Sequence, residues 1–384
     1  MKNLTKPAIL SISLLIIMTG NAVSPVLGEI SEAFPNADTS LIKMVLTLPS
    51  FIIIPFSLIS GKISAFFKKR KIIITGLIIY IIAGLGSGFS KNIYELLIFR
   101  GLLGAGMGLI IPFTTSLIAD FYEETERTVM MGLSNAIANL GGIIATLAAG
   151  VLAIYNWRYI FLIYSIAIVI LFLVIFQLPE PQKRNFSKKK FSFDNRILLI
   201  SFLAFFLNIV FYSVITNMSL FIKNENIGNS GYSGITLSFI TLAGFLSSIL
   251  LRQISKLFKR IRVPFAISIM SFGFLQLSRS YNLSSVLVSA FMIGFGLGIL
   301  KPILFLKVSE FVPRNSNAFA ISLVSNSILF GKFISPFFIN LWVKLFNNTD
   351  FRFIFLSMGI SLGLAGVISL LVILYCMKAL NPRC

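Results

Sequence analysis

A succession of twelve apolar runs is the feature that most limits what this chain can fold into. They cover 8–30, 41–64, 71–90, 93–119, 129–152, 158–178, 197–221, 233–253, 262–281, 284–306, 317–343 and 352–377. A helix needs roughly 20 apolar residues to cross the hydrocarbon core of a bilayer. In lipid each backbone N–H and C=O must be satisfied within the protein, so a run of that length folds as a helix. Hydrophobic residues fill 57% of the 384 positions, against roughly 45–50% in ordinary soluble domains. The expected fold is an all-α membrane protein of twelve transmembrane helices.

The formal net charge of +20 would suit a nucleic-acid binder, but its placement argues otherwise. Lys and Arg gather in short stretches between apolar runs, such as Lys68, Lys69, Arg70 and Lys71, or Lys188 to Lys190. Basic loops stay in the cytoplasm. Applied here, that rule puts both termini in the cytoplasm and makes the chain a multi-pass protein of the inner membrane. The bilayer and a small solute are the expected partners, with no nucleic acid, and the chain is expected to be a monomer. Histidine is absent, and the two cysteines, Cys376 and Cys384, both lie near the C-terminus. They offer neither a disulfide framework nor a metal-ligand cluster. No nucleotide loop is present, so no cofactor is expected and ATP is not the energy source. The first run follows Lys2 and Lys6 and is too long for a signal peptide, so it reads as a retained helix.

The chain also repeats itself. Gly104, Gly106, Gly108 and Pro112 recur as Gly294, Gly296, Gly298 and Pro302, all at a spacing of about 190 positions. Asp120-Phe121 is matched by Glu310-Phe311 and Gly141 by Gly331 at the same spacing, and Arg158-Tyr159-Ile160-Phe161-Leu162 parallels Arg352-Phe353-Ile354-Phe355-Leu356. Six helices per repeat leave the two repeats in one orientation, related by an axis along the membrane normal, with a solute site between them. The boundaries read as an N-terminal six-helix half (1–178), a basic linker (179–196) and a C-terminal six-helix half (197–384). The linker opens with Pro179-Glu180-Pro181.

With these residues in view, the chain resembles the major facilitator superfamily over nearly its whole length, and within it bacterial drug and metabolite exporters. Gly61 to Lys71 lies where that family has the loop signature G-x-x-x-D-R-x-G-R-R-K. Ala65, Phe66 and Lys68 stand here for its acid, first basic residue and second glycine. Arg100 is similar to the arginine of the family's fourth helix. Gly132, Gly141 and Gly150 follow the exporter spacing in the fifth, where Ala145-Thr146 replaces the Gly-Pro pair. The resemblance implies the two-half fold and proton-coupled export by alternating access.

Ionisable groups inside a span are costly and point to function. Three cations stand there: Arg100 in the fourth span, Lys301 in the tenth and Lys332 in the eleventh. Each is a candidate solute contact. Lys301, beside Pro302, is also placed to snorkel towards the inner interface. Asn21, Asn135, Asn139, Asn208, Asn217 and Asn326 are uncharged candidates. No Asp or Glu stands at the centre of a span. Glu29, at the outer end of the first, is therefore the candidate proton carrier, with Arg100 as its expected partner. Asp120, Glu310, Lys69 and Arg70 are candidate gating residues on the cytoplasmic side. The resulting expectation is a secondary transporter and not an enzyme, most simply a proton-coupled exporter of small amphipathic compounds. The three membrane-embedded cations suggest an organic-anion transporter as the alternative, and a non-transporting receptor or scaffold is a third class.

Overall fold

A computed structural model describes residues 2–180, 195–311 and 317–379, and every regular element among them is helical. The first half contains α1 (Lys2–Asn21), α2 (Leu27–Ala33), α3 (Thr39–Ile63), α4 (Lys69–Gly86), α5 (Ile93–Phe121), α6 (Glu124–Tyr155) and α7 (Ile166–Gln177). The second contains α8 (Asn195–Asn224), α9 (Ser230–Ile249), α10 (Leu251–Phe258), α11 (Arg262–Leu277), α12 (Leu283–Phe311), α13 (Asn317–Phe346) and α14 (Phe351–Ala379). Below, the end of the bundle where α1 begins is the near end and the opposite one the far end.

Among the described residues, eleven helical stretches are long and apolar enough to cross a membrane. The ninth expected span, 262–281, becomes α11, only 16 residues long. Its chain turns at Ser278 and Ser280, whose hydroxyls bond back to the carbonyls of Leu275 and Gln276. The guanidinium of Arg352 holds the carbonyls of Ser278 and Ser280 from α14. With α11 packed on α12 and α14, twelve helices form two halves.

The expected run 8–30 is not one helix. It breaks after Asn21, passes through a 3-10 turn at Ser24–Val26 and resumes as α2. Pro25 lacks the N–H that a continuous helix would use there, and its free carbonyl accepts from the Ser219 hydroxyl of α8 instead. The sixth span likewise opens with a 3-10 stretch, Trp157–Ser165, before α7. The eighth ends at Ile249, four residues early. The separate helix α10 follows, with Ile254 turned inward and Arg252 and Lys256 outward.

Each half has its own apolar core. One joins side chains from Ala8 to Leu178, and another joins side chains from Phe211 to Leu362. A smaller cluster of Ile197, Ile200, Ala204, Val308, Ala320, Val324 and Ile328 closes the near end of the second half. Most of the segment expected to link the halves, 181–194, lies outside the described residues, as do the side chains of both cysteines.

The sequence repeat reappears as repeated packing. A Cβ on Gly104 would lie 2.7 Å from the Pro49 carbonyl oxygen, and one on Gly294 would collide with the carbonyl of Ile240. Gly106 meets Gly76 and Tyr80, as Gly296 meets Ala266 and Met270. Gly108 meets Ile53 and Phe56, as Gly298 meets Gly244 and Ser247. Small residues let helix backbones approach in lipid, where no hydrophobic force drives them together. The caps repeat too. Arg158 donates to the Ser90 carbonyl at 2.8 Å, and its counterpart Arg352 donates to Ser280 at 2.9 Å.

Candidate functional site

The halves meet along two helix pairs, α6 with α9 and α3 with α13. Their polar contacts gather towards the far end. Lys223 of α8 pairs with Glu32 of α2 at 2.6 Å. The Gly28 amide donates to the Ser219 hydroxyl at 3.1 Å, and Asn340 of α13 donates to the Ser40 hydroxyl at 2.9 Å. Gly150 and Gly234 bring α6 and α9 into backbone contact, since a Cβ on either would lie 3.0 Å from the other's Cα. This seam closes the far end.

Glu29 lies in the seam. Its carboxylate faces Lys223 and Ser230 of the second half, and one of its oxygens is buried with no hydrogen-bond partner. The expected pairing of Glu29 with Arg100 is therefore not formed. Arg100 is fully buried in the first half, and its three hydrogen bonds account for it. Nε donates to the Val45 carbonyl at 2.7 Å, Nη1 to the Tyr164 hydroxyl at 2.7 Å and Nη2 to the Thr19 carbonyl at 2.8 Å. Tyr80 closes the group edge-on to Tyr164, with ring centroids 5.6 Å apart. A guanidinium with its donors on three neighbouring helices binds them together and, in this conformation, has no face left for solute. At the repeat positions stand Ala290 and Met270, so this polar lock belongs to the first half alone.

The second half carries charge where the first does not. Lys301 is exposed, although it shares a face of α12 with Leu304, Phe305 and Val308, which pack onto α8 and α13. It stands one turn beyond that cluster. Lys332, one turn beyond Ile328 on α13, sits over the Tyr212 ring with Nζ 5.0 Å from its centroid. The repeat equivalents of Lys301 and Lys332 are Ile111 and Gly142, and that of Tyr212 is Asn21. Asn21, half-buried, holds its amide against Gly142, as Tyr212 lies against Lys332. Asn21 thus meets α6 in the first half, and Tyr212 meets Lys332 of α13 in the second.

The other amides differ. Asn208 and Asn217 are buried and donate to their own helix, to the carbonyls of Ala204 and Ser213, as Asn139 does to that of Asn135. Asn135 is exposed and Asn326 half-buried. The expected gating residues pair within their own halves. Lys69 meets Asp120 at 2.6 Å, Lys307 meets Glu310 at 2.5 Å, and Arg70 donates to the Ile175 carbonyl and through its amide to Glu180. None of these pairs crosses between the halves.

The expectation of three cations within spans was one short. Lys43 lies inside α3 with 7% of its surface exposed. Its place two residues inside the run 41–64 was legible. Tyr212, Ser219 and Lys223 carried no signal, because only packing shows which face of α8 meets the other half.

The sequence profile of the Major Facilitator Superfamily matches residues 9–336. The chain belongs to the major facilitator superfamily. The relatives that it matches are transporters. The chain is 23% identical over 330 residues to the multidrug transporter protein MdtP of Bacillus subtilis (strain 168), a match covering 68% of this chain and 60% of that protein. It is 26% identical over 262 residues to the multidrug efflux pump SdrM of Staphylococcus aureus (strain N315), covering 62% and 58%. The chain therefore spans about 60% of the length of these curated relatives. Its fold is similar to the inward-facing, occupied crystal structure of a bacterial homolog of the human lysosomal transporter Spinster. The TM-score is 0.72 and the identity 16%, over 96% of this chain and 94% of that one.

Proposed function

We propose that this chain exports small amphipathic compounds across the bacterial inner membrane by alternating access, as a monomer with both termini in the cytoplasm, driven by inward proton flow. The reading rests on one observation above the others: the ties between the halves lie at the far end, with Glu29 inside them. The likeness to MdtP and SdrM supports export and the amphipathic class. Lys301, Lys332 and Asn21, set on otherwise apolar helices, suit a solute with both polar and apolar parts.

The coupling follows from the cost of burying charge. A neutral carboxyl enters a closed seam at lower cost than a carboxylate. Proton uptake by Glu29 from the far side thus favours closing there. Proton loss towards the near side favours reopening, which carries the solute outwards. Arg100 positions α5 against α1, α3 and the sixth span, so that the first half moves as a unit.

The test uses protein reconstituted in liposomes with an internal pH dye, a proton gradient and fluorescent amphiphiles outside. Solute accumulation with proton release is expected, and Glu29→Gln should abolish it while solute exchange without a gradient persists. Undiminished gradient-driven accumulation in Glu29→Gln would remove Glu29 from coupling. Absence of amphiphile flux in the parent protein would end the export reading.

A further inference from the structure

The short helix α10 takes no part in the seam. It joins α9 to α11, two helices that cross the bundle, so it stands where the near end meets a leaflet of the bilayer. Ile254 on its inner face is buried, and the ring of Phe258 stacks on Phe265 of α11 with centroids 3.7 Å apart. Those two contacts fix which way the helix is turned. Its outer side presents Arg252 and Lys256, four positions apart and therefore neighbours on one face, followed by Lys259 and Arg260, all exposed. Leu257 and Ile261, 76% and 40% exposed, flank them. With Arg262, residues 252–262 carry five basic side chains and no acid. None of the five pairs with an acid among the described residues. Lys259 also closes the helix at φ 41°, in the left-handed region where glycine costs least, so its side chain stands there against the preference of the backbone.

The equivalent loop of the first half disposes of its charges differently. Lys69, the counterpart of Arg260, pairs with Asp120 at 2.6 Å. Arg70 donates to the Ile175 carbonyl, and Glu180 accepts from the amides of both Lys69 and Arg70. In the second half Glu310, the counterpart of Asp120, is held by Lys307 at 2.5 Å instead of by α10. The charge of α10 is therefore left to face outwards.

We propose that α10 is a binding site for the headgroups of anionic phospholipids in the leaflet at the near end. This is independent of the export reading, since it needs only a bundle that spans a bilayer. The fit is one of charge and of depth. A helix with an apolar inner face and basic side chains outward lies in the plane of the interface. Leu257 and Ile261 reach the acyl boundary, while Arg252, Lys256, Lys259 and Arg260 stay at the level of the headgroups. A cluster of basic residues beside a spanning helix attracts anionic lipid. A phosphodiester accepts charge-assisted hydrogen bonds, and Arg252 and Lys256, one turn apart, suit a single phosphate. A zwitterionic headgroup offers the same phosphate but brings its own ammonium, which the cluster repels.

The experiment uses the full chain carrying Leu257→Trp, reconstituted in phosphatidylcholine vesicles with a fixed minor fraction of phosphatidylglycerol. In one set the phosphatidylglycerol has brominated acyl chains, and in the other an equal amount of the phosphatidylcholine does. Bromine quenches the introduced indole on contact, so the ratio of the two quenching efficiencies reports which lipid touches α10. The signal of Trp157 and Trp342, both towards the far end, is subtracted using the parent protein. Quenching by phosphatidylglycerol should exceed that by phosphatidylcholine roughly threefold or more. Arg252→Gln, Lys256→Gln and Arg260→Gln together should bring the two to equality, while Lys256→Arg should keep the excess. The substituted side chains are exposed, so the fold is not at stake. Lys62→Gln with Lys71→Gln, on the first-half loop, should also keep the excess, which separates a site on α10 from the general positive field of the protein. Equal quenching by the two lipids, an excess unchanged in the triple variant, an equal loss in the first-half variant, or release of the excess by inorganic phosphate at constant ionic strength would each overturn the proposal.

Discussion

The Nη1 of Arg100 donates to the Tyr164 hydroxyl across 2.7 Å, tying α5 to the 3-10 opening of the sixth span inside a fully buried pocket. The same guanidinium reaches carbonyls of α1 and α3. A residue that in sequence looks like a solute ligand is, in this conformation, the bolt of the first half.

Replacing Arg100 with Leu should therefore act first on stability. Three buried acceptors lose their donor, and bonds to a charged group are worth about 1.5–3 kcal/mol each at most, so a net loss of roughly 2–4 kcal/mol is expected. Thermal unfolding in detergent measures it. An unchanged midpoint combined with lost solute binding would return Arg100 to the solute site.

The ion pair of Glu32 and Lys223 should behave differently. Its side chains are 68% and 33% exposed, so solvent screens it and removing it should change stability by no more than about 1 kcal/mol. What it biases is the seam. Lys223→Gln should shift the population towards far-end opening, read as faster labelling of a cysteine placed at Ser230. Labelling at the parental rate would show that the pair does not hold the gate.

Gly150 and Gly132 form a contrasting pair on α6. A Cβ on Gly150 would stand 2.8 Å from the Ser230 carbonyl oxygen across the seam, whereas one on Gly132 meets nothing within 4 Å. Gly150→Ala should disfavour far-end closure and reduce transport several-fold, while Gly132→Ala should be neutral or slightly stabilising through helix propensity. Equal transport by the two variants would contradict the close packing of α6 on α9.

Asp38 caps α3, accepting from the Ser40 amide at 2.7 Å. That bond holds its carboxyl below the usual value near 3.8. Because the folded value is depressed, the cap's electrostatic contribution is present above about pH 4 and is lost as the pH falls through the folded value. Asp38→Ala should cost about 0.5–2 kcal/mol at neutral pH and Asp38→Asn much less. Unfolding curves taken between pH 3 and pH 7 should show a shallower acid limb for both variants, and an acid limb identical to the parent's would remove Asp38 as its source.

Much of the architecture is legible because lipid leaves the chain so little choice. Apolar runs of helix length, and glycines repeating at one spacing, predict the paired packing of Gly104 on Pro49 and Gly294 on Ile240. The site is less legible. Lys301 and Lys332 stand out as costly residues in apolar runs, yet nothing in their spacing says that Lys332 lies over the Tyr212 ring of α8. Glu29 stands out for the same reason, and its expected partner was the wrong cation. Hydropathy ranks residues by cost and is blind to azimuth: the face of α2 that meets Lys223 and the face of α5 that buries Arg100 are chosen by helix packing.

By itself the sequence determined the solvent, the number of spanning segments and the duplication, since each follows from backbone satisfaction in lipid and from spacing along one dimension. Only the tertiary structure decided that Pro25 breaks the first span to meet Ser219, that Arg100 is a bolt and that Glu29 faces the other half. Those outcomes depend on which helix faces oppose one another, and that is settled by close contact among residues nearly two hundred positions apart.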